Sequence, residues 1–245
     1  ELLSKNELGI YNMIDSLKKL PQFKSFIDII SSIVTGYYKL GPLEIGPYFS
    51  LLSTDQVEGI RVRLGFRTNS KFSSRLQLMG YGAYGFKDSL FKYGLGANYV
   101  VSSKPWQKTG INYRKDLDLE SPHFDEIDQD NFFAVSLRKP FSQKLLMIDE
   151  KSVFYELERF RGFSSTISLT NSIIRPTFNF TFIENEQTKV KINNSVLGIK
   201  LRWNHKEEFV SGKFNRVSIG SYYPVVELKY EMGVKDVLLS DFSFN

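Results

Sequence analysis

The residues that could carry chemistry are few. Glu156 and Glu158 stand two apart, which places both carboxylates on one face of a strand, as in the acid pair of a glycosidase. Nothing else nearby points to sugar binding, and the neighbouring Arg159 and Arg161 assign the pair to a polar interior instead. Asp116, Asp118, Glu120, Asp125, Glu126, Asp128 and Asp130 form an acidic run, and calcium takes roughly six to eight oxygen ligands. The run lacks the glycine and closing glutamate of an EF-hand loop, and its first part alternates as a strand does, so it reads as a solvated loop. His123 and His205 are the only histidines and cysteine is absent, which excludes a disulfide scaffold, a thiolate zinc site and a cysteine nucleophile. Both histidines read as surface residues. Gly80 to Gly85 is glycine-rich but lies within an alternating strand, where glycine permits close backbone approach. No nucleophile elbow, phosphate loop or zinc-protease helix occurs. The expectation is a non-enzymatic protein with no catalytic, metal or cofactor site.

One pattern of charge remains. Arg61, Arg63 and Arg67 alternate with Ile60, Val62, Leu64 and Phe66, so a strand would carry apolar residues on one face and arginines on the other. The same period runs through 76–84, and through Phe91, Tyr93, Leu95, Ala97, Tyr99 and Val101 against Lys92, Gly94, Gly96, Asn98, Val100 and Ser102. A soluble sandwich turns its apolar face to the core and usually covers the other with Lys, Glu and Thr. Here the second face holds Gly, Asn, Ser, Tyr and Arg, which suits a barrel with lipid outside and a crowded polar interior. Arg61, Arg63, Arg114, Glu156 and Lys200 are accordingly expected to face that interior. Aromatics make up 15% of the 245 residues while mean hydropathy is −0.23, so they sit among polar residues as a period of two requires. No run approaches the ~18 apolar residues of a spanning helix, whereas barrel strands need only ~9–11. The pI near 9.1 comes from scattered Lys and Arg with no phosphate-tracking cluster, so no nucleic-acid partner is expected.

The chain divides at Pro42. Residues 1–41 read as an N-terminal helical segment, with a helix pair over 4–38: a capping-box spacing from Ser4 to Glu7, helical apolar positions from Ile10 to Leu17, a break at Leu20-Pro21, and a stripe from Phe23 to Tyr37. Residues 42–245 read as the β-barrel region. Strands are expected at 45–53, 109–119, 132–139, 145–159, 163–174, 177–184, 190–203, 216–231 and 237–244 besides the three above, about twelve in all. Tyr37, Tyr38, Tyr48, Trp106, Tyr222 and Tyr223 lie near strand ends, as in the aromatic girdles of a membrane barrel.

Several runs carry a family likeness: Glu44-Ile45-Gly46-Pro47, Val57-Glu58-Gly59 with Arg61 and Arg63, Gly65-Phe66-Arg67-Thr68, Phe72-Ser73, Gly82-Ala83-Tyr84-Gly85 with Lys92-Tyr93, and Tyr223-Pro224-Val225-Val226-Glu227-Leu228. On these the chain resembles an outer-membrane family of unknown function from bacteria of the Bacteroides group. In that family a carboxypeptidase-regulatory-like domain precedes a large region ending in a barrel. The resemblance implies an antiparallel up-and-down transmembrane barrel related to the BamA-like insertases. It also implies the outer membrane of a Gram-negative cell, outer-membrane lipid around the barrel, and envelope proteins or an assembly complex as partners. A role in inserting, assembling or translocating envelope proteins is the functional expectation. A passive pore or transporter, and a soluble β-sandwich binding module, are the alternatives. The family pattern continues past Asn245, so the chain is expected to be a truncated barrel that leaves two free edges.

Overall fold

Alternating side chains favour extended backbone, because successive residues of a strand point to opposite faces. The computed structural model describes residues 35–119, 145–160, 162–180, 182–184, 187–235 and 237–240, and it is almost entirely strand. In chain order these are β1 (Tyr38–Leu40), β2 (Leu43–Ile45), β3 (Leu52–Asp55), β4 (Gly59–Thr68), β5 (Leu76–Gly85), β6 (Phe91–Ser103), β7 (Trp106–Leu119) and β8 (Leu145–Phe160). They continue with β9 (Phe163–Pro176), β10 (Phe182–Glu184), β11 (Gln187–Lys189), β12 (Ile192–Trp203), β13 (Glu208–Ser211), β14 (Arg216–Gly220) and β15 (Val226–Gly233).

Eleven strands form one antiparallel sheet in the order β1-β2-β4-β5-β6-β7-β8-β9-β12-β15, with β3 also on β4. From β4 onward it is an up-and-down meander. β10–β11 and β13–β14 are separate hairpins in the connections before and after β12. Among the described residues no ladder joins the first strand to the last, so the sheet is open rather than a closed barrel. It is nevertheless deeply curled, because Gly46 beside β2 and Glu231 on β15 border the same cavity of about 580 Å³.

Several expected elements differ. Of the helix pair expected over 4–38, residues 4–34 lie outside the described residues, and the sheet already begins at Tyr38, ahead of Pro42. The strand expected at 45–53 is split into β2 and β3 by a 3-10 turn at Tyr48–Ser50. Pro47 has no N–H for the ladder, and the two halves stay on β4 through Gly46 N–H to Gly65 O (2.9 Å) and Arg63 N–H to Leu51 O (2.8 Å). Residues 132–139 lie outside the described set. Of 177–184, residues 177–180 are not strand, Phe182–Glu184 form β10 and 181 lies outside the described residues; 216–231 is broken between β14 and β15 around Pro224. Of the expected strand at 237–244, residues Val237–Leu239 form a 3-10 turn instead, with Leu238 at φ 50°, and 241–244 lie outside the described residues. Polar side chains hold it: Ser195 Oγ donates to Val237 O (2.6 Å) and Asn193 Nδ2 to Leu238 O (2.9 Å).

The two faces of the sheet are unlike. Ile60, Leu64, Phe91, Leu95, Ile111 and Leu228 are exposed on the convex face, while Arg61 and Lys92 on the concave face are buried at 4% and 0% exposure. Among the described residues six hydrophobic residues are buried against sixteen polar or charged ones, the reverse of a water-soluble core. The small apolar cluster that exists is Val100, Trp106 and Phe214, between the start of β7 and the β13–β14 hairpin. Trp106 therefore departs from its expected place in a girdle, because the hairpin folds over it; Tyr38, Tyr48, Tyr222 and Tyr223 are exposed as strand-end residues.

Glycine lets concave side chains cross neighbouring strands. Tyr81 on β5 sits opposite Gly94 on β6, and a Cβ at Gly94 would lie 2.4 Å from Tyr81 Cε1. The phenol thus passes over β6 and donates its hydroxyl to Asp116 on β7 at 2.7 Å. Gly94→Val should displace the ring and destabilise the fold by about 1–3 kcal/mol. In a Tyr81→Ala background most of that cost should vanish, as measured by denaturant unfolding of the two single variants and the double variant.

Candidate functional site

β4 begins at a tight turn that its own sequence builds. Asp55 Oδ1 accepts from the N–H groups of Val57 and Glu58, both at 2.8 Å, and Gly59 at φ 66° completes the reversal. This aims Glu58 back over Arg61. Arg61 donates to both oxygens of Asp116 at 2.8 Å, a bidentate pair reaching from β4 to β7, and also to Glu58 at 3.0 Å. Lys92 on β6 meets Glu58 at 2.8 Å and also pairs with Asp88 in the β5–β6 turn. Gly85 leaves the space, since a Cβ there would lie 2.8 Å from Lys92 Nζ and 3.0 Å from Glu58 Cβ.

Several other concave charges are paired in the same manner. Arg114 contacts Glu150 at 3.0 Å and Asp118 at 2.9 Å, Arg67 contacts Glu44 at 2.7 Å, and Lys200 contacts Glu227 at 3.1 Å. At the end of the sheet holding the β13–β14 hairpin, Arg216 reaches Glu158 at 2.6 Å and Lys108 donates to Asn215 at 3.0 Å. Arg202 forks onto Glu207 at 2.5 and 2.7 Å. The hairpin is thus bound by charge to the interior of the sheet.

Between this hairpin and the Glu58 cluster lies the cavity, with Arg63, Tyr81, Asn112, Arg114, Ser152 and Thr170 in its walls. Arg63 stands apart from the other arginines here. Its guanidinium carbon lies 3.9 Å from the centre of the Tyr81 ring, and its buried Nε has no hydrogen-bond partner.

Of the residues expected to face an interior, Arg63 and Arg114 line this cavity and Arg61 is buried in the cluster beside it. Lys200 shares their face through its pair with Glu227. Glu156 stands across from Lys108 in the β7–β8 ladder, on the same side of β8 as Glu150. The partner of Glu158 is Arg216 from the hairpin, not Arg159, which is exposed and on the other face; Arg161 lies outside the described residues. Asp116 and Asp118, the first members of the acidic run, are committed to arginines. His123 and the run from Glu120 lie outside the described residues. His205 is exposed, edge-on to Tyr223 at 4.9 Å. Among the described residues no group of three His, Asp or Glu is placed to hold a metal. Glu58, Asp88, Glu150 and Arg216 were not singled out as interior partners. Parity along β8 marks Glu150, whereas Arg216 belongs to an excursion with no parity to the sheet.

No family model, curated protein or solved structure matches the chain.

Glu58 is wholly buried, which alone would raise its pKa, but Arg61 and the hydrogen bonds from Lys92, Asp55 and Arg61 outweigh this and hold it below the ordinary 4.5. A carboxyl depressed in the folded state contributes stability that is present above its unfolded pKa and lost as pH falls through the folded one. Glu58→Gln should therefore be less stable than the native protein at neutral pH. The gap should close as pH drops below about 4.5, where the native side chain also becomes neutral; denaturation midpoints of both proteins across pH 3–7 read this out.

Proposed function

We propose that this chain is a transmembrane barrel region of a Gram-negative outer membrane, with a non-enzymatic part in inserting, assembling or translocating envelope proteins. The observation that carries the membrane reading is the inverted amphipathic sheet, with apolar side chains exposed on the convex face and ion pairs sealed on the concave one. In water such a face is unfavourable, because soluble monomers rarely expose contiguous apolar patches beyond a few hundred Å². A soluble sandwich needs a second layer there, and among the described residues the strands of the sheet pack chiefly on their ladder neighbours. Strand length agrees. β4 and β5 have 10 residues, β6 has 13, β7 and β9 have 14 and β8 has 16, against the ~9–11 that cross a bilayer when tilted.

The part in envelope assembly rests on the resemblance carried by Glu44 to Pro47, Gly65 to Thr68 and Gly82 to Gly85, and a fold alone does not determine activity. The polar cavity favours the second reading, a passive pore or transporter. Against it stand the β13–β14 hairpin tied across one end and the charge pairs that occupy the interior. Depletion of envelope proteins on deletion of the gene supports the assembly role. Steady, large open-channel currents in planar bilayers, with an unchanged envelope, support the pore.

Leu95 separates lipid from water at a single site. It is 57% exposed, so in a soluble protein Leu95→Arg should change stability by no more than about 0.5 kcal/mol. Near a bilayer midplane the same change should cost about 2–4 kcal/mol. Unfolding from lipid vesicles should show the larger cost, and the purified protein should need detergent to remain monodisperse.

A further inference from the structure

We propose that the cavity beside Arg63 is a binding site for a phosphate group. The inference goes beyond the membrane reading and stands on the cavity alone. The two carboxylates in the cavity wall are already engaged, Glu150 by Arg114 at 3.0 Å and Glu231 by Lys229 at 3.1 Å. Arg114 is likewise paired with Glu150 and Asp118. Arg63 has no carboxylate partner among the described residues and its buried Nε is unbonded, so it is the cation of the cavity wall left without a counter-ion. A guanidinium has five N–H donors in a planar fork, and half-burial without a counter-ion is unfavourable. The ring of Tyr81 holds that fork over the cavity, and Tyr81 is itself fixed by Asp116 beyond Gly94.

The rest of the wall chooses among anions. Asn112, Ser152, Ser168 and Thr170 bring an amide and three hydroxyls to the same space. A carboxylate has two oxygens, which the fork of one arginine satisfies. A tetrahedral phosphate has further oxygens for the hydroxyl and amide donors, and the volume of about 580 Å³ admits either a free phosphate or the headgroup of a lipid. Arginine, rather than lysine, suits this because its fork matches two phosphate oxygens at once.

The test uses the full chain in detergent micelles, titrated with inorganic phosphate against sodium chloride at fixed ionic strength and, separately, with a short-chain phosphatidic acid. Phosphorus-31 line broadening and the thermal unfolding midpoint are the readouts. The expected result is a saturable effect of one or both probes that is lost in Arg63→Gln, weakened at least several-fold in Arg63→Lys, and kept in Arg75→Gln in the exposed β4–β5 turn. Saturation by inorganic phosphate identifies a free anion, and saturation by the lipid probe alone identifies a headgroup. If Arg63→Gln does not fold by circular dichroism, the comparison of Arg63→Lys with the native protein decides. No saturable effect of either probe on the native protein, or equal effects in the native protein and the folded Arg63 variants, overturns the proposal.

Discussion

The carboxylate of Asp116 ties three strands together from one side. It takes two hydrogen bonds from Arg61 on β4 and one from Tyr81 on β5, while its own strand, β7, lies beyond β6. These reaches are possible only if the sheet curls, since side chains three strands apart on a flat sheet are too distant at a spacing of ~4.8 Å per strand. Removing one member of such a buried set typically costs about 3–5 kcal/mol, because the others are left charged and without partners. Curl, small residues at the crossing points, and paired charge on the concave face are therefore one arrangement seen in three ways.

That arrangement explains why so little apolar surface is buried. A globular protein in water hides its hydrophobic side chains and leaves its charges outside. Here Glu58, Arg61 and Lys92 are inside, while Phe91, Leu95 and Ile111 are outside. Among the described residues the buried apolar cluster forms where the β13–β14 hairpin covers Trp106, and even there Arg216 lies 5.8 Å from the indole and 4.5 Å from Phe209. The interior is thus organised by electrostatics and hydrogen bonds more than by packing, and its order depends on the satisfaction of each charge.

Much of this was legible in the period of the sequence. The alternation from Ile60 to Phe66 and from Phe91 to Val101 matches the ladders of β4 with β5 and of β5 with β6, and Arg61 and Arg63 lie on the side that alternation assigns them. What could not be read was non-local. Alternation tells that Lys92 and Asp116 share a face but not that Glu58 and Arg61 complete them, because those partners come from a turn and a distant strand. The stretch 216–231 alternates well enough to pass for one strand. Only its contacts with Trp106, Lys108 and Glu158 show that its first part leaves the sheet. Residues 237–239 differ from expectation for a similar reason: their conformation is fixed by Asn193 and Ser195, side chains of another strand, and not by their own propensities.

The meander also has a kinetic meaning. From β4 to β9 each strand pairs with the one just before it, so apart from the long connection between Leu119 and Leu145 each ladder closes a short loop and little chain entropy is lost at each step. The bonds between Arg61 and Asp116, 55 positions apart, and between Lys108 and Asn215, 107 apart, close much longer loops. They can form only once the intervening hairpins exist. Assembly by successive local zippering, followed by long-range electrostatic locking, keeps the charged face hydrated until its partners arrive. The pair of Lys92 and Glu58 lies within the consecutive β4–β5–β6 hairpins, so the attraction that offsets its desolvation comes from strands joined by short turns.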